Sequence, residues 1–397
     1  MKFKMKKCAL MVALATSAAL PSMSSQAAGT ITFGEDKSIS IGMGIRTQFT
    51  SVEDAAPNSS SRSKDFDVHD ARIYINGSLN KYIKGTLNLF TSTVDGYGDD
   101  GSMEVLDAYL QFEFMDEFNI WVGQLLPPTD RSNLNGPFFL NAWDYPGIVS
   151  RYQNKFIGRD IGVTVWGKVL DKRLVYSVGA YEGNRGVSST VRNSSQPNIS
   201  PNRSDNLMFS GRLQYDFWDA NNDPAYYTSS AYYGKDVLSV ALVGMYQKDG
   251  VGTAGNSDDY LAYNIDALLE KKFAAGVLNL EGAAYKYDFS DAAVATDIAA
   301  TAAVNASFNG SVPGKAYLGL VSWMFNDTVG WGKFQPYARY QKFDKDGNVG
   351  VDQKEYDLGL NYIIDGHNAR ISTVYTKTKT QGADDIDKFT VGLQLQF

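Results

Sequence analysis

From Ser38 to the C terminus the chain consists of runs of about ten residues in which apolar and polar side chains alternate, and a period of two admits little besides half-buried β-strands. In the run 66–79, Ala71, Ile73, Ile75, Gly77 and Leu79 oppose Asp70, Arg72, Tyr74, Asn76 and Ser78. The same alternation covers 38–49, 85–94, 105–114, 119–124, 161–169, 174–181, 207–217, 236–247, 261–273, 277–289, 315–325, 332–343, 355–364, 369–378 and 388–397. That makes about sixteen strands, an even number. Short polar links alternate with longer polar loops, so neighbouring strands are expected to pair as a meander. No domain boundary interrupts the rhythm.

The N terminus reads differently. Lysines at positions 2, 4, 6 and 7 precede an apolar run from Cys8 to Leu20 and a small-residue end at Ser25, Gln26 and Ala27. This is the order of a secretory signal peptide, with cleavage expected after Ala27, and the apolar run is too short to span a bilayer. Residues 28–397 then form one domain. The only cysteine, Cys8, leaves with the signal, so no disulfide can stabilise the exported chain. Removing four lysines from the 37 Lys+Arg leaves 33 against 44 Asp+Glu, a net charge of −11. An acidic surface of that size argues against nucleic acid as a partner.

No later segment holds the roughly 18 consecutive apolar residues of a membrane helix. Aromatic residues make up 13% of the chain, yet the mean hydropathy is −0.26, that of a water-soluble protein. A transmembrane antiparallel up-and-down β-barrel reconciles the two. One face of each strand meets lipid and the other meets water, so the average conceals strong amphipathicity. Aromatic residues near strand ends on the apolar face, namely Phe112, Phe114, Tyr215, Phe217, Tyr362, Phe389 and Phe397, are expected at the membrane interface.

The interval 125–158 breaks the rhythm. It carries Pro127, Pro128, Phe138, Phe139, Trp143, Tyr145, Pro146 and Tyr152, a composition too rich in rings for a linker. A wide barrel gives such a segment somewhere to go, and the reading here is a loop folded into the lumen. Two other intervals are ambiguous. Residues 218–234 read as strand or as an unusually long turn, and the alanine-rich 291–314 reads as a loop with room for a short helix.

The last strand alternates Phe389, Val391, Leu393, Leu395 and Phe397 with polar residues and stops on the aromatic. With the octapeptide Asp70-Ala71-Arg72-Ile73-Tyr74-Ile75-Asn76-Gly77, the segment Leu106-Asp107-Ala108-Tyr109-Leu110, and Val122-Gly123-Gln124 leading into Pro127-Pro128, the chain resembles the phosphate-selective porin family of Gram-negative bacteria. The resemblance spans most of residues 28–397 in rhythm and is most specific over 70–158. It implies a sixteen-stranded, homotrimeric porin in the outer membrane, surrounded by lipid. It further implies passage of small hydrophilic solutes, phosphate or other anions among them, and a third outer loop that folds inward. The family's phosphate-binding members carry a run of basic lumen residues; here arginines stand in phase but no lysine cluster accompanies them.

Diffusion through a pore needs no catalytic group, metal or cofactor, only a polar lumen and charges where an ion sheds water. Taking the face opposite the aliphatic residues as the lumen places Arg72, Arg212, Arg339 and Arg370 inside, with Asp70, Asp107, Asp266 and Asp357. The inserted loop adds Arg131, Arg151, Lys155 and Arg159, with Asp130 and Asp144. Guanidinium groups offer planar paired donors and keep their charge at physiological pH, which suits phosphate and carboxylate. The same residues read more plainly as solvated or cross-strand paired charges.

Two rival functions have other requirements. A hydrolase would have to use His69 or His367, the only histidines, and neither sits in a nucleophile motif. An adhesive barrel would work through its outer loops around a blocked lumen.

Overall fold

The structure is a computed structural model that describes residues 29–34, 36–94, 102–184, 200–220, 223–229, 236–303 and 312–397. The expected signal segment 1–27, with Cys8, lies outside the described residues. So do residues 95–101 and parts of the expected loops 182–205, 218–234 and 291–314.

Strands β2 (Ser38–Val52), β3 (Asp65–Ser78), β4 (Ile83–Val94), β5 (Glu104–Met115), β6 (Phe118–Leu125), β7 (Asp160–Val169), β8 (Leu174–Tyr181) and β9 (Met208–Asp216) form the first half of a ring. The second half is β10 (Val237–Thr253), β11 (Asn256–Lys272), β12 (Gly276–Tyr287), β13 (Gly314–Phe325), β14 (Lys333–Lys345), β15 (Gln353–Asp365), β16 (Ala369–Thr380) and β17 (Ile386–Gln396). Each pairs antiparallel with its neighbour in sequence, and β17 closes on β2, with Gln394 opposite Arg46 and Leu395 opposite Ile45. The result is a closed antiparallel barrel of 16 strands. Closure matters physically, because a sheet edge in lipid would leave N–H and C=O groups unpaired at several kcal/mol each.

Alternation has the expected sense. Leu110, Phe209, Leu213, Leu242, Leu358 and Leu393 are exposed on the outside, while Asp107, Ser210, Arg212, Ser239, Asp357 and Gln394 are buried inside. Tyr215, Phe217, Phe389 and Phe397 lie exposed on the outer side. No described helix is long and apolar enough to cross a membrane.

Four local expectations change. Leu106, grouped by period with outward Leu110, is fully buried: a bulge between the Asn88–Asp107 and Leu89–Val105 pairs slips the phase by one residue. The runs 236–247 and 261–273 lengthen into a hairpin joined at Thr253–Asn256, with a bulge between Gln247 and Val251; glycines at 250, 252 and 255 hide its period. Helix α2 (Asp291–Ala303) forms at the end of the barrel with the long loops, in an alanine-rich segment that favours helix and has Asp291 in its first turn. Strand β1 (Gly29–Thr32) pairs with Ser38–Ile41 of β2.

Turns at one end are short, such as 79–82, 116–117, 273–275 and 366–368. Two long segments depart from this plainness. Residues 126–159 connect β6 to β7 at the opposite end and include the one-turn helix α1 (Arg131–Asn135), while residues 217–236 connect β9 to β10 at the short-turn end.

Candidate functional site

Residues 126–159 bond to inward-facing side chains around much of the ring. Tyr285 of β12 donates to Asp130 at 2.8 Å, and Asn141 donates to Glu281 at 2.8 Å. The Tyr337 hydroxyl accepts from the Trp143 N–H at 3.1 Å, and Trp143 Nε1 donates to Gln48 at 2.7 Å. Arg339 and Arg370 donate to the carbonyls of Asp144 and Leu140, each at 2.6 Å.

Two different forces hold the segment. Its later part is packed by rings: Val149 and Tyr152 belong to a buried cluster with Tyr181, Tyr260, Tyr285, Tyr287 and Phe343. The hydroxyls there are satisfied, as Tyr152 donates to Asn264 at 2.6 Å and Tyr287 to the Val149 carbonyl at 2.6 Å. Its middle part is held by guanidinium groups and by missing side chains. A Cβ at Gly44 would stand 2.8 Å from the Phe138 ring, and one at Gly392 would overlap the Trp143 indole. Only glycine lets these rings seat against β2 and β17.

The arginines expected in the lumen fall into two groups. Four are matched to an aspartate: Arg72 with Asp70 at 2.9 Å, Arg159 with Asp107 at 3.0 Å, Arg212 with Asp266 at 2.6 Å and Arg339 with Asp357 at 2.6 Å. All four guanidiniums are at most 8% exposed. In the first three pairs desolvation is offset by two-point hydrogen bonding, while Arg339 makes one bond to Asp357 and has Glu355 3.6 Å from its other end.

Arg370 and Arg46 are different. They flank Gln394 in one row across β16, β17 and β2, each 1% exposed, and neither meets a carboxylate among the described residues. Arg46 donates to the Trp143 carbonyl, and its guanidinium lies 4.0 Å from that indole's centre. Nε of Arg46 and Nε and Nη2 of Arg370 have no hydrogen-bond partner among the described residues. Arg46 is absent from the sequence-derived candidates, although the phase of Ile41, Met43 and Ile45 already turns it inward.

The remaining candidates scatter. Arg131 donates to the Ser229 carbonyl, and its backbone N–H reaches Asp266 at 3.1 Å. Arg151 lies 4.1 Å from the centre of the Phe343 ring and donates to Gln353. Lys155 pairs with Glu182, about one-third exposed, away from the arginine row. Asp144 accepts from Lys388 of the last strand, a residue absent from the sequence-derived candidates. His69 is 3.7 Å from Asp144, and His367 sits buried in the turn 366–368, where its carbonyl accepts from Gln394 and Gln396.

Acidic groups gather elsewhere on the ring. Asp266 and Glu270 of β11, Glu281 of β12 and Asp130 of the loop are all buried. Burial and the neighbouring Asp266 raise the Asp130 carboxyl to about 6, against the hydrogen bonds from Ser150 and Tyr285. Asp144 behaves oppositely: burial would raise it, but Lys388 and His69 hold it down at about 2. Among the described residues, no group of three His, Cys, Asp or Glu could hold a metal ion.

Residues 39–397 match the family model described as phosphate-selective porin O and P. No curated protein matches the sequence. Among solved structures, an anion-selective porin from Comamonas acidovorans is similar with a TM-score of 0.59 and 12% identity, over 91% of this chain and 100% of that one. A Salmonella typhi OmpF in complex with daunomycin gives 0.58 and 12%, over 93% and 100%. Pseudomonas putida OprB gives 0.58 and 8%, over 90% and 94%. At such identities the likeness speaks for the fold.

Proposed function

Because this chain belongs to the phosphate-selective porin O and P family, we propose that it is a diffusion porin with a preference for anions, narrowed by residues 126–158. The family and the closed ring make it an outer-membrane porin channel for small hydrophilic solutes. The observation that carries the anion preference is the imbalance between the two groups of arginines. Arg72, Arg159, Arg212 and Arg339 each have an aspartate in direct contact, whereas Arg46 and Arg370 form no ion pair with a carboxylate among the described residues. Buried charges are poorly screened by salt, so these two act on a passing ion through their field rather than by contact.

The reading includes export by residues 1–27 and assembly as a homotrimer in the outer membrane of a Gram-negative cell. Support for close approach of a second barrel comes from the outer wall of β3–β6. Gly77, Gly85 and Ala108 leave a shallow apolar groove there between Ile75, Leu87, Leu110 and Val122.

The test is ion selectivity in planar bilayers under a salt gradient. A reversal potential on the chloride side supports the reading. A reversal potential on the cation side removes the anion preference, and a silent bilayer favours the barrel with a blocked lumen.

A further inference from the structure

We infer that residues 223–229, in the turn between β9 and β10, form a second constriction that enters the lumen from the short-turn end and sets the size limit together with residues 126–158. The inference rests on the porin reading above. An ordinary turn at this end spans a few residues and stays outside the ring, as 116–117 and 273–275 do. Here Asp219 still pairs with Asp236 through its backbone N–H, so the hairpin could have closed at that point. The chain instead continues inward.

Its contacts are with the inner wall and with the opposite loop. The Tyr226 hydroxyl donates to the Leu126 carbonyl at 2.7 Å, and Thr228 Oγ1 donates to the Arg131 carbonyl at 2.8 Å with the Asn135 side-chain amide also against it. Arg131 returns a bond to the Ser229 carbonyl. Segments that start from opposite mouths of the barrel therefore meet and bond inside it. On the wall side, Trp121 of β6 has the ring of Tyr109 at 4.9 Å, Tyr226 at 5.3 Å, Tyr227 at 5.5 Å and Trp166 at 5.7 Å. Lys168 of β7 donates to the Asp223 carbonyl, with a narrow cavity left between the turn and Ser177, Arg212 and Gln214.

Burial is the second independent sign. Tyr226 is 2% exposed, Thr228 3% and Asp223 5%, values of an interior rather than of a turn at the rim. Two tyrosine rings and a buttressed helix α1 take cross-section from the water path at the level of Leu126–Asn135. Size selection here thus falls to Tyr226 and Tyr227 as well as to the rings of the outer loop.

The experiment replaces residues 220–235 with a two-residue Asn-Gly turn and compares single-channel conductance and liposome swelling by uncharged sugars of graded size with those of the parent chain. A second variant carries Tyr226→Ala with Tyr227→Ala on the full-length turn. Heat-modifiable migration on denaturing gels shows that each barrel has folded. The inference expects conductance to rise by about 1.5-fold or more in the shortened chain, with a smaller rise in the double variant and admission of larger sugars. A conducting parent with unchanged conductance and size limit in folded variants overturns it. A parent that does not conduct overturns the porin reading instead.

Discussion

The indole of Trp143 rests on Gly392: the ring fills the space that a Cβ at position 392 would occupy. Gly392 faces inward on β17, two residues from Gln394, and the Trp143 carbonyl accepts from Arg46 on the neighbouring strand. Loop and wall are therefore fitted to each other at the atomic scale. Gly392→Ala is expected to dislodge the ring and destabilise the barrel by about 1–3 kcal/mol, the usual cost of overpacking a tight site. Thermal unfolding on denaturing gels reads the loss, and single-channel records of the same variant should show a changed conductance level. An unchanged midpoint and conductance would mean the ring is free to move.

Arg46 should govern selectivity more than the better-matched arginines. Removing one unit charge near the path is expected to change the anion-to-cation permeability ratio by roughly five-fold, about 1 kcal/mol at an interaction distance of several ångströms. Arg46→Gln should lower the ratio, Arg46→Lys should preserve most of it, and Arg370→Gln should act in the same direction. Reversal potentials measure all three.

Arg339 and Asp357 form a buried pair that holds the Asp144 carbonyl as well. Breaking it from one side, by Asp357→Asn, leaves the buried guanidinium with only Glu355, at 3.6 Å, as a counter-charge and is expected to destabilise by about 3 kcal/mol. The double variant Asp357→Asn with Arg339→Gln should recover most of that loss. Thermal midpoints of the single and double variants give the coupling, and equal losses in both would deny the pairing its role.

Strand positions and the inward phase of Arg72, Arg212, Arg339 and Arg370 were legible in the sequence because lipid outside and water inside impose a strict period of two. The exceptions occur where the period fails. The bulge at Leu106 shifts the phase by one residue, and the glycines at 250, 252 and 255 carry no side chain to show a pattern. Pairing is another matter. Asp107 and Arg159 lie 52 residues apart, and Arg212 and Asp266 lie 54 apart, so no local spacing announces that they neutralise each other. Tyr226 and Tyr227 looked like either strand or turn, since aromatic residues suit both a lipid-facing wall and a plugged interior.

Selectivity should also depend on pH. Asp130 is lifted to about 6 by burial and by Asp266, so it is largely protonated at pH 5 and ionised at pH 7.5. The lumen therefore gains one negative charge over that interval, beside Arg212 and Arg131, and anion preference should fall as pH rises. Stability follows the same sign: with a folded value above the ordinary carboxylate range, this group's favourable contribution is present at low pH and lost as pH passes through about 6. Asp130→Asn should flatten the dependence of reversal potential on pH across this range, and a persistent slope would assign it to another group.

The central claim, that residues 126–158 stand in the water path, is tested most directly at Gly147. It is exposed within the segment, a Cβ there would have open space, and removal of the signal would leave a chain without other cysteines. Single-channel current through Gly147→Cys is recorded before and after a bulky thiol reagent. The account predicts that modification cuts the current to about half or less, while the parent chain is unaffected. A modified channel that conducts as before would contradict it.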